Sequence, residues 1–276
     1  MATWRRLAGR HSNIALGLAL VLLIAGLSAG APLLSRPDPT AADVPNQLHR
    51  PSRAFPLGTD HLGRDLFARV LYGGRVTLLI GLAVVVLTAA GGAGVGLAAG
   101  MSPALDRWMM RVMDALLALP AILLAIAATT ILGRSVLNVV VALAISSMPR
   151  MARLVRGSAL VLREGPMVEA ARAIGAGTRR ILIRHILPNI VSPIVVQGTY
   201  TFSTAVLTEA SLSFLGVGPA HGVPSWGSVL SEGRDLIDRA PWMTIFPGVA
   251  IVLTVLGINL LGDGLRDALD PQLRGL

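Results

Sequence analysis

Few side chains in this sequence could do chemistry. Gly26-Leu27-Ser28-Ala29-Gly30 has the spacing of a nucleophile elbow, in which a sharp strand-to-helix turn exposes a serine for covalent catalysis. No strand pattern precedes it and the pentapeptide lies inside an apolar helical run, so a membrane hydrolase using Ser28 is disfavoured. Gly94-Val95-Gly96-Leu97-Ala98-Ala99 matches a dinucleotide fingerprint, but no βαβ unit surrounds it to aim backbone N–H groups at a phosphate. Asp114 and Glu209 are acidic groups within apolar runs, where carboxylates mark either an ion path or bonding between helices. Asp114 stands one turn from Arg111, a spacing that suits a local ion pair, and Glu209 stands alone. So few such groups disfavour an ion-coupled carrier working by itself, and helix-to-helix bonding is the preferred reading of both. No histidine or carboxylate cluster in the sequence marks a metal route, and with no cysteine there is neither a disulfide nor a thiolate site.

The remaining chemistry is charge. Residues 163–189, REGPMVEAARAIGAGTRRILIRHILPN, carry 5 arginines and 2 glutamates between two strongly apolar runs. Gly165-Pro166 suits a helix start, because proline at the first helical position loses no needed N–H. Met167, Ala170, Ala171 and Ile174 then fall on one face, and Gly175 is placed to stop the helix in a left-handed conformation. Thr178 can cap a second short helix bearing Arg179, Arg180 and Arg184, which Pro188 closes before the next apolar run. So short a helix cannot stand alone in water and needs a docking partner. Two readings remain at this level: a peg gripped by another protein, or a basic segment lying on anionic lipid.

The elements that must hold this block are read from hydropathy. The chain has 276 residues, 53% of them hydrophobic and 14% charged, with a mean hydropathy of +0.68, the profile of a polytopic membrane protein. The net charge of +9 does not indicate nucleic acid, because the arginines sit at the ends of apolar runs and not along one polar face. A bilayer core of about 30 Å takes about 20 helical residues, and six spans are expected, at 14–34, 76–100, 109–132, 136–148, 190–216 and 242–261. The first apolar run is too long for a signal peptide and is read as a retained anchor. With both termini inside, the inner segments hold 15 arginines and the outer ones 9, as the positive-inside rule requires. Trp4, Trp108 and Trp242 fall near span ends as interfacial anchors, and Gly92, Gly96 and Gly100 share one helix face that another helix can approach closely.

Glu169-Ala170-Ala171, three further residues and Gly175, followed by Leu187-Pro188, resemble the EAA loop of ATP-binding-cassette importer permeases. One departure stands two residues before Leu187-Pro188, where His185 replaces the usual isoleucine. LGTDHLGRDLFARVLYGGRVTLLIG (57–81), SLSFLGVG (211–218), PSWGSVLSEGRD (224–235) and NLLGDGLRDALDPQLR (259–274) resemble the second permease subunit of dipeptide, oligopeptide and nickel importers. The matches keep one order from about residue 57 to the C-terminus.

That resemblance implies an all-α type I importer fold, with an N-terminal tail, first span and outer loop over 1–56, and a permease core over 57–276. The core would hold five spans and an EAA loop at 164–188. It implies a subunit of the inner membrane that imports small peptides, with nickel or a metal chelate as the alternative cargo. Expected partners are a related permease subunit, two cytoplasmic ATPase subunits that carry ATP and magnesium, an extracytoplasmic binding protein and the lipid membrane. No cofactor is expected in this chain, which has no lysine and so cannot form a Gly-x-x-x-x-Gly-Lys phosphate loop. Coupling to the ATPase would fall to Glu164, Glu169, Ala170, Ala171, Arg172, Gly175, Ala176, Leu187 and Pro188. Arg64, Asp65 and Trp226 would serve outer docking or gating, with the run 59–75 either a docking surface or a brace, and Asp263, Arg266, Asp267 and Asp270 a structural C-terminal cluster.

Overall fold

The computed structural model describes residues 2–35, 38–219 and 222–269, with side chains from Ser12 onward. Among these residues the protein is built from helices: α1 (Ala2–Ala29), α2 (Ala31–Leu34), α3 (Leu66–Met101), α4 (Pro103–Ala118), α5 (Ala121–Leu132), α6 (Val136–Arg163), α7 (Pro166–Ala173), α8 (Thr178–Ile181), α9 (Leu187–Phe214), α10 (Trp226–Gly233) and α11 (Trp242–Leu269). Asp65 starts α3 by accepting the Phe67 N–H, and Ser102 both ends α3 and caps α4, with Pro103 in the first helical position.

Five helices are long and apolar enough to cross a bilayer, and α4 with α5 forms a sixth candidate bent by 96°. The bend is local chemistry. Pro120 forces Leu119 out of helical dihedrals, to φ −91° and ψ 138°, and so divides the span expected at 109–132. The direction of the pair follows from glycine contacts. A Cβ on Gly92 would meet Met151 at 2.7 Å, on Gly96 the Ala152 carbonyl at 2.5 Å, and on Gly100 the Ala159 Cβ at 2.8 Å. Residue numbers rise together along this contact, so α3 and α6 run in the same direction, and α4–α5 must return across the molecule between them.

The expected close-approach face on α3 is thus the seat of α6. The formal dinucleotide fingerprint lies in the same helix, where Gly96 receives a neighbouring backbone and not a phosphate. α9 runs against α3, with Gly81 on Phe202 and Gly198 on Val85. It also runs against α11, with Ser203 donating to Asn259 and Gly262 abutting Thr199. α1 runs against α11, where Gly17 meets Gly257 and Leu261 and Gly264 meets Ile14. Both described ends of the chain therefore lie at the same end of the bundle as α7 and α8, and the 38–65 and 215–241 segments lie at the other. Ser28 is buried in α1 against Gly74 of α3, which places it in helix packing and outside any reactive setting.

Several boundaries differ from those expected. α3 begins ten residues before Val76, because Asp65 caps it and Leu66, Ala68, Arg69 and Leu71 are buried. α6 runs on to Arg163, well past the expected end at Met148, so much of the basic segment after residue 150 is helix continuous with the span. Trp242 does not anchor at the bilayer surface: it is buried and donates Nε1–H to the Thr59 carbonyl. Trp108 is exposed and carries the Arg111 guanidinium over its ring, as an interfacial tryptophan can. Trp4 and Asp270 lie outside the described side chains.

Candidate functional site

The EAA-like segment sits at the end of the bundle that carries both chain ends, joined stiffly to two long helices. Glu164 closes α6, and Gly165 and Pro166 open α7 two residues later. Val168 and Ala171 are buried in a cluster with Met151, Val155, Ala159, Ile181, Ile186 and Ile190, so α7 is pinned to the roots of α6 and α9. Ala171 therefore faces the bundle, not outward with Ala170 as its spacing suggested. The outward face consists of Met167, Glu169, Ala170, Arg172 and Ile174, with Ile174 85% exposed. Glu164, Gly175 and Pro188 are exposed as well, while Ala176 and Leu187 are half-buried.

Gly175 ends α7 at φ 81°, and the Gly175 N–H to Arg172 and Ala176 N–H to Ala171 bonds complete a Schellman turn. Beyond it the reading of two separate elements fails. Gly177, not Thr178, is the N-cap of α8, and helix continues without a stop from Thr178 to Phe214. Pro188 lies inside that run, two residues into α9, and residues 182–186 form a π-helical turn just before it. Proline has no N–H and its ring crowds the carbonyl four residues back, here that of Arg184; the wider π turn relieves both conflicts. Arg179, Arg180 and Arg184 remain exposed.

Interhelical charge pairs border this region. Asp114 pairs at 2.7 Å with Arg153 of α6, and Asp106 forms a bidentate pair with Arg156. Asp114 is thus bonded between helices, as one reading of it required, but its partner is not Arg111, which is occupied by Trp108. Asp106 was not recognised in the sequence; its distance of 50 residues from Arg156 leaves no local spacing signal.

At the opposite end, the 43–66 segment is folded back onto α10 and α11. Leu48 and Leu57 pack against Leu66, Val229, Ala240, Trp242 and Met243. A buried ion network ties the segment down. Asp60 is fully buried and its Oδ2 accepts from Arg64 Nε and Arg69 Nη1, both at 2.6 Å. Glu232 of α10 accepts from Arg64 at 2.5 Å and from Arg69 at 2.5 and 2.8 Å. Burial alone would disfavour the Asp60 carboxylate, but the two arginines and the Leu62 and Arg64 backbone N–H groups outweigh it and hold its pKa below the usual range. Burial pushes the Asp65 carboxyl up, against the N–H groups of Phe67 and Ala68. Trp226 is buried and donates Nε1–H to the Val70 carbonyl. Arg64, Asp65 and Trp226 are all engaged in bonds within this scaffold. Glu209 is buried behind it, with Oε1 accepting from Ser213 and from Ser225, the N-cap of α10.

These features define a polytopic helical membrane protein with a rigid amphipathic peg at one end and a braced loop layer at the other. The sequence profile of binding-protein-dependent transport system inner membrane components matches residues 90–275, and the chain belongs to that family. It is 48% identical over 99% of its length to a putative peptide transport system permease protein of Brucella abortus biovar 1, covering 92% of that protein. It is 44% identical over 98% of its length to the di/tripeptide transport system permease protein DppC of Pseudomonas aeruginosa, covering 91% of it. Identity is 47% over 98% of the chain, and 90% of the relative, for the glutathione transport system permease protein GsiD of Pectobacterium atrosepticum. In fold it is similar to a chain of the MetNI methionine ABC transporter in an inward-facing conformation, with a TM-score of 0.60 and 22% identity, covering 73% of this chain and 96% of that one.

Proposed function

We propose that this chain is the membrane-spanning half-path of an ATP-driven importer of small peptides. The end bearing α7 and both described chain ends is cytoplasmic, and a related permease subunit completes the path. The observation that carries the reading is α7 itself, a helix of eight residues buried on one side through Val168 and Ala171 and bare on the other through Met167, Ala170 and Ile174. A bare apolar stripe flanked by Glu169 and Arg172, on a stub welded to two spans, suits a protein groove more than a lipid surface. Closure of two partner ATPase subunits on ATP would displace this stub and tilt α6 and α9 as rigid bodies. An extracytoplasmic binding protein would deliver cargo at the braced end.

Peptide is preferred over nickel because the relatives at 44–48% identity are named for peptide, di/tripeptide and glutathione transport. The test is Ile174→Glu and Gly175→Leu in the assembled complex, with peptide uptake and ATP hydrolysis measured together. Uptake should fall about tenfold or more while the protein stays in the membrane, since a buried charge or a strained left-handed leucine each costs more than about 1.4 kcal/mol at a close-packed contact. Unchanged coupling in both variants would overturn the role of α7. Parallel uptake of labelled dipeptide and of nickel decides the cargo.

A further inference from the structure

The braced end contains a cavity of about 100 Å³ that the import mechanism above does not use. Its lining includes Arg69 and Glu232, the hydroxyl side chains Ser213, Ser228 and Ser231, Arg134, and Gly216 and Gly218. Two properties mark it as a site. Arg69 is only 3% exposed, and although its terminal nitrogens are engaged, its buried Nε has no hydrogen-bond partner. Buried polar atoms are nearly always satisfied, so an unpartnered donor on a residue that lines a polar cavity points to an acceptor there.

The second property is the sign of the charge. Asp60 and Glu232 are matched by Arg64 and Arg69, which makes the brace neutral. Arg134, from the turn between α5 and α6, forms no ion pair or hydrogen bond among the described residues, so the cavity lining carries one unmatched positive charge beside serine hydroxyls. A planar singly charged anion with two acceptor oxygens fits that arrangement, and a guanidinium binds it in a fork.

We propose that this cavity binds a carboxylate, and that the carboxylate it takes in function is the C-terminal group of the incoming peptide. The second half of this proposal rests on the peptide reading above. Held there, the cargo's terminus would be fixed at the braced end by Arg134 and the Ser231 hydroxyl.

The site is tested with acetate and acetamide as probes, by saturation-transfer NMR on the assembled complex in nanodiscs. Acetate should give saturation transfer and acetamide should not. Arg134→Gln should weaken acetate about fivefold, the loss expected for one exposed charge, and Arg134→Glu should abolish its signal. Equal signals from both probes, or acetate binding unmoved in Arg134→Glu, would overturn the site.

The source of the carboxylate is tested by uptake of dialanine against dialanine amide by the complete assembly with its binding protein. Arg134→Gln should lower uptake of the free acid and leave uptake of the amide unchanged. An acetate site whose loss leaves dialanine uptake unaltered would overturn the assignment to cargo. Acetate binding in a wild-type complex that imports no peptide would instead refute the peptide reading and leave the pocket standing.

Discussion

Arg69→Met should show how much the brace contributes. Arg69 donates to both Asp60 and Glu232, and the methionine keeps most of the side-chain volume while removing the charge. Breaking a buried pair by removing one partner costs about 3–5 kcal/mol, because the other charge stays buried and unmatched. Here Arg64 still reaches both carboxylates, so the lower end, about 3 kcal/mol, is expected. For a chain of this size that corresponds to a fall in Tm of roughly 6–12 °C. Intrinsic fluorescence during heating is a suitable assay, since Trp226 and Trp242 are buried beside the brace. Acidification adds a signed check. The folded pKa of Asp60 lies below its ordinary value, so its contribution is present above that value and is lost as pH falls through the folded one. Wild-type stability should therefore decline as pH drops below about 4, and Arg69→Met should decline less steeply. The reasoning fails if Arg69→Met melts within about 2 °C of wild type or keeps the full acid slope.

The α3–α6 contact predicts opposite outcomes for two nearby glycines. Gly96→Leu meets the Ala152 backbone at 2.5 Å and should abolish folded protein in the membrane, whereas Gly94→Ala meets nothing within 4 Å and should stabilise α3 by about 0.5–1 kcal/mol, both read from Tm. Asp106→Arg alone should lower stability by under about 1 kcal/mol, since the pair is partly exposed, and Asp106→Arg with Arg156→Asp should recover it in a double-mutant cycle. Glu209→Ala strips the acceptor from Ser213 and Ser225 and should cost about 1–3 kcal/mol, whereas Ser211→Ala, at an exposed hydroxyl bonded only to its own helix, should be close to neutral.

Hydropathy and glycine spacing made the architecture legible in the residue order. The number of crossings, the face by which α3 receives a neighbour and the left-handed stop at Gly175 all depend on interactions within one helix or between a helix and lipid, and such interactions leave a periodic trace in the chain. What escaped depends on residues far apart. Ala171 shares its helix spacing with Ala170, but only the approach of Ile181 and Ile186 decides that it is buried. Arg111 stood at the right distance from Asp114, yet Arg153 of another helix holds that carboxylate. The Asp60–Arg64–Arg69–Glu232 network joins positions up to 168 residues apart, and Arg134 meets its cavity only because α5, α6 and α10 converge. Charges attract through space and not along the chain, so the spans and the start and stop of α7 could be read from residue order, while ion pairing and the polar cavity were settled only when the helices packed.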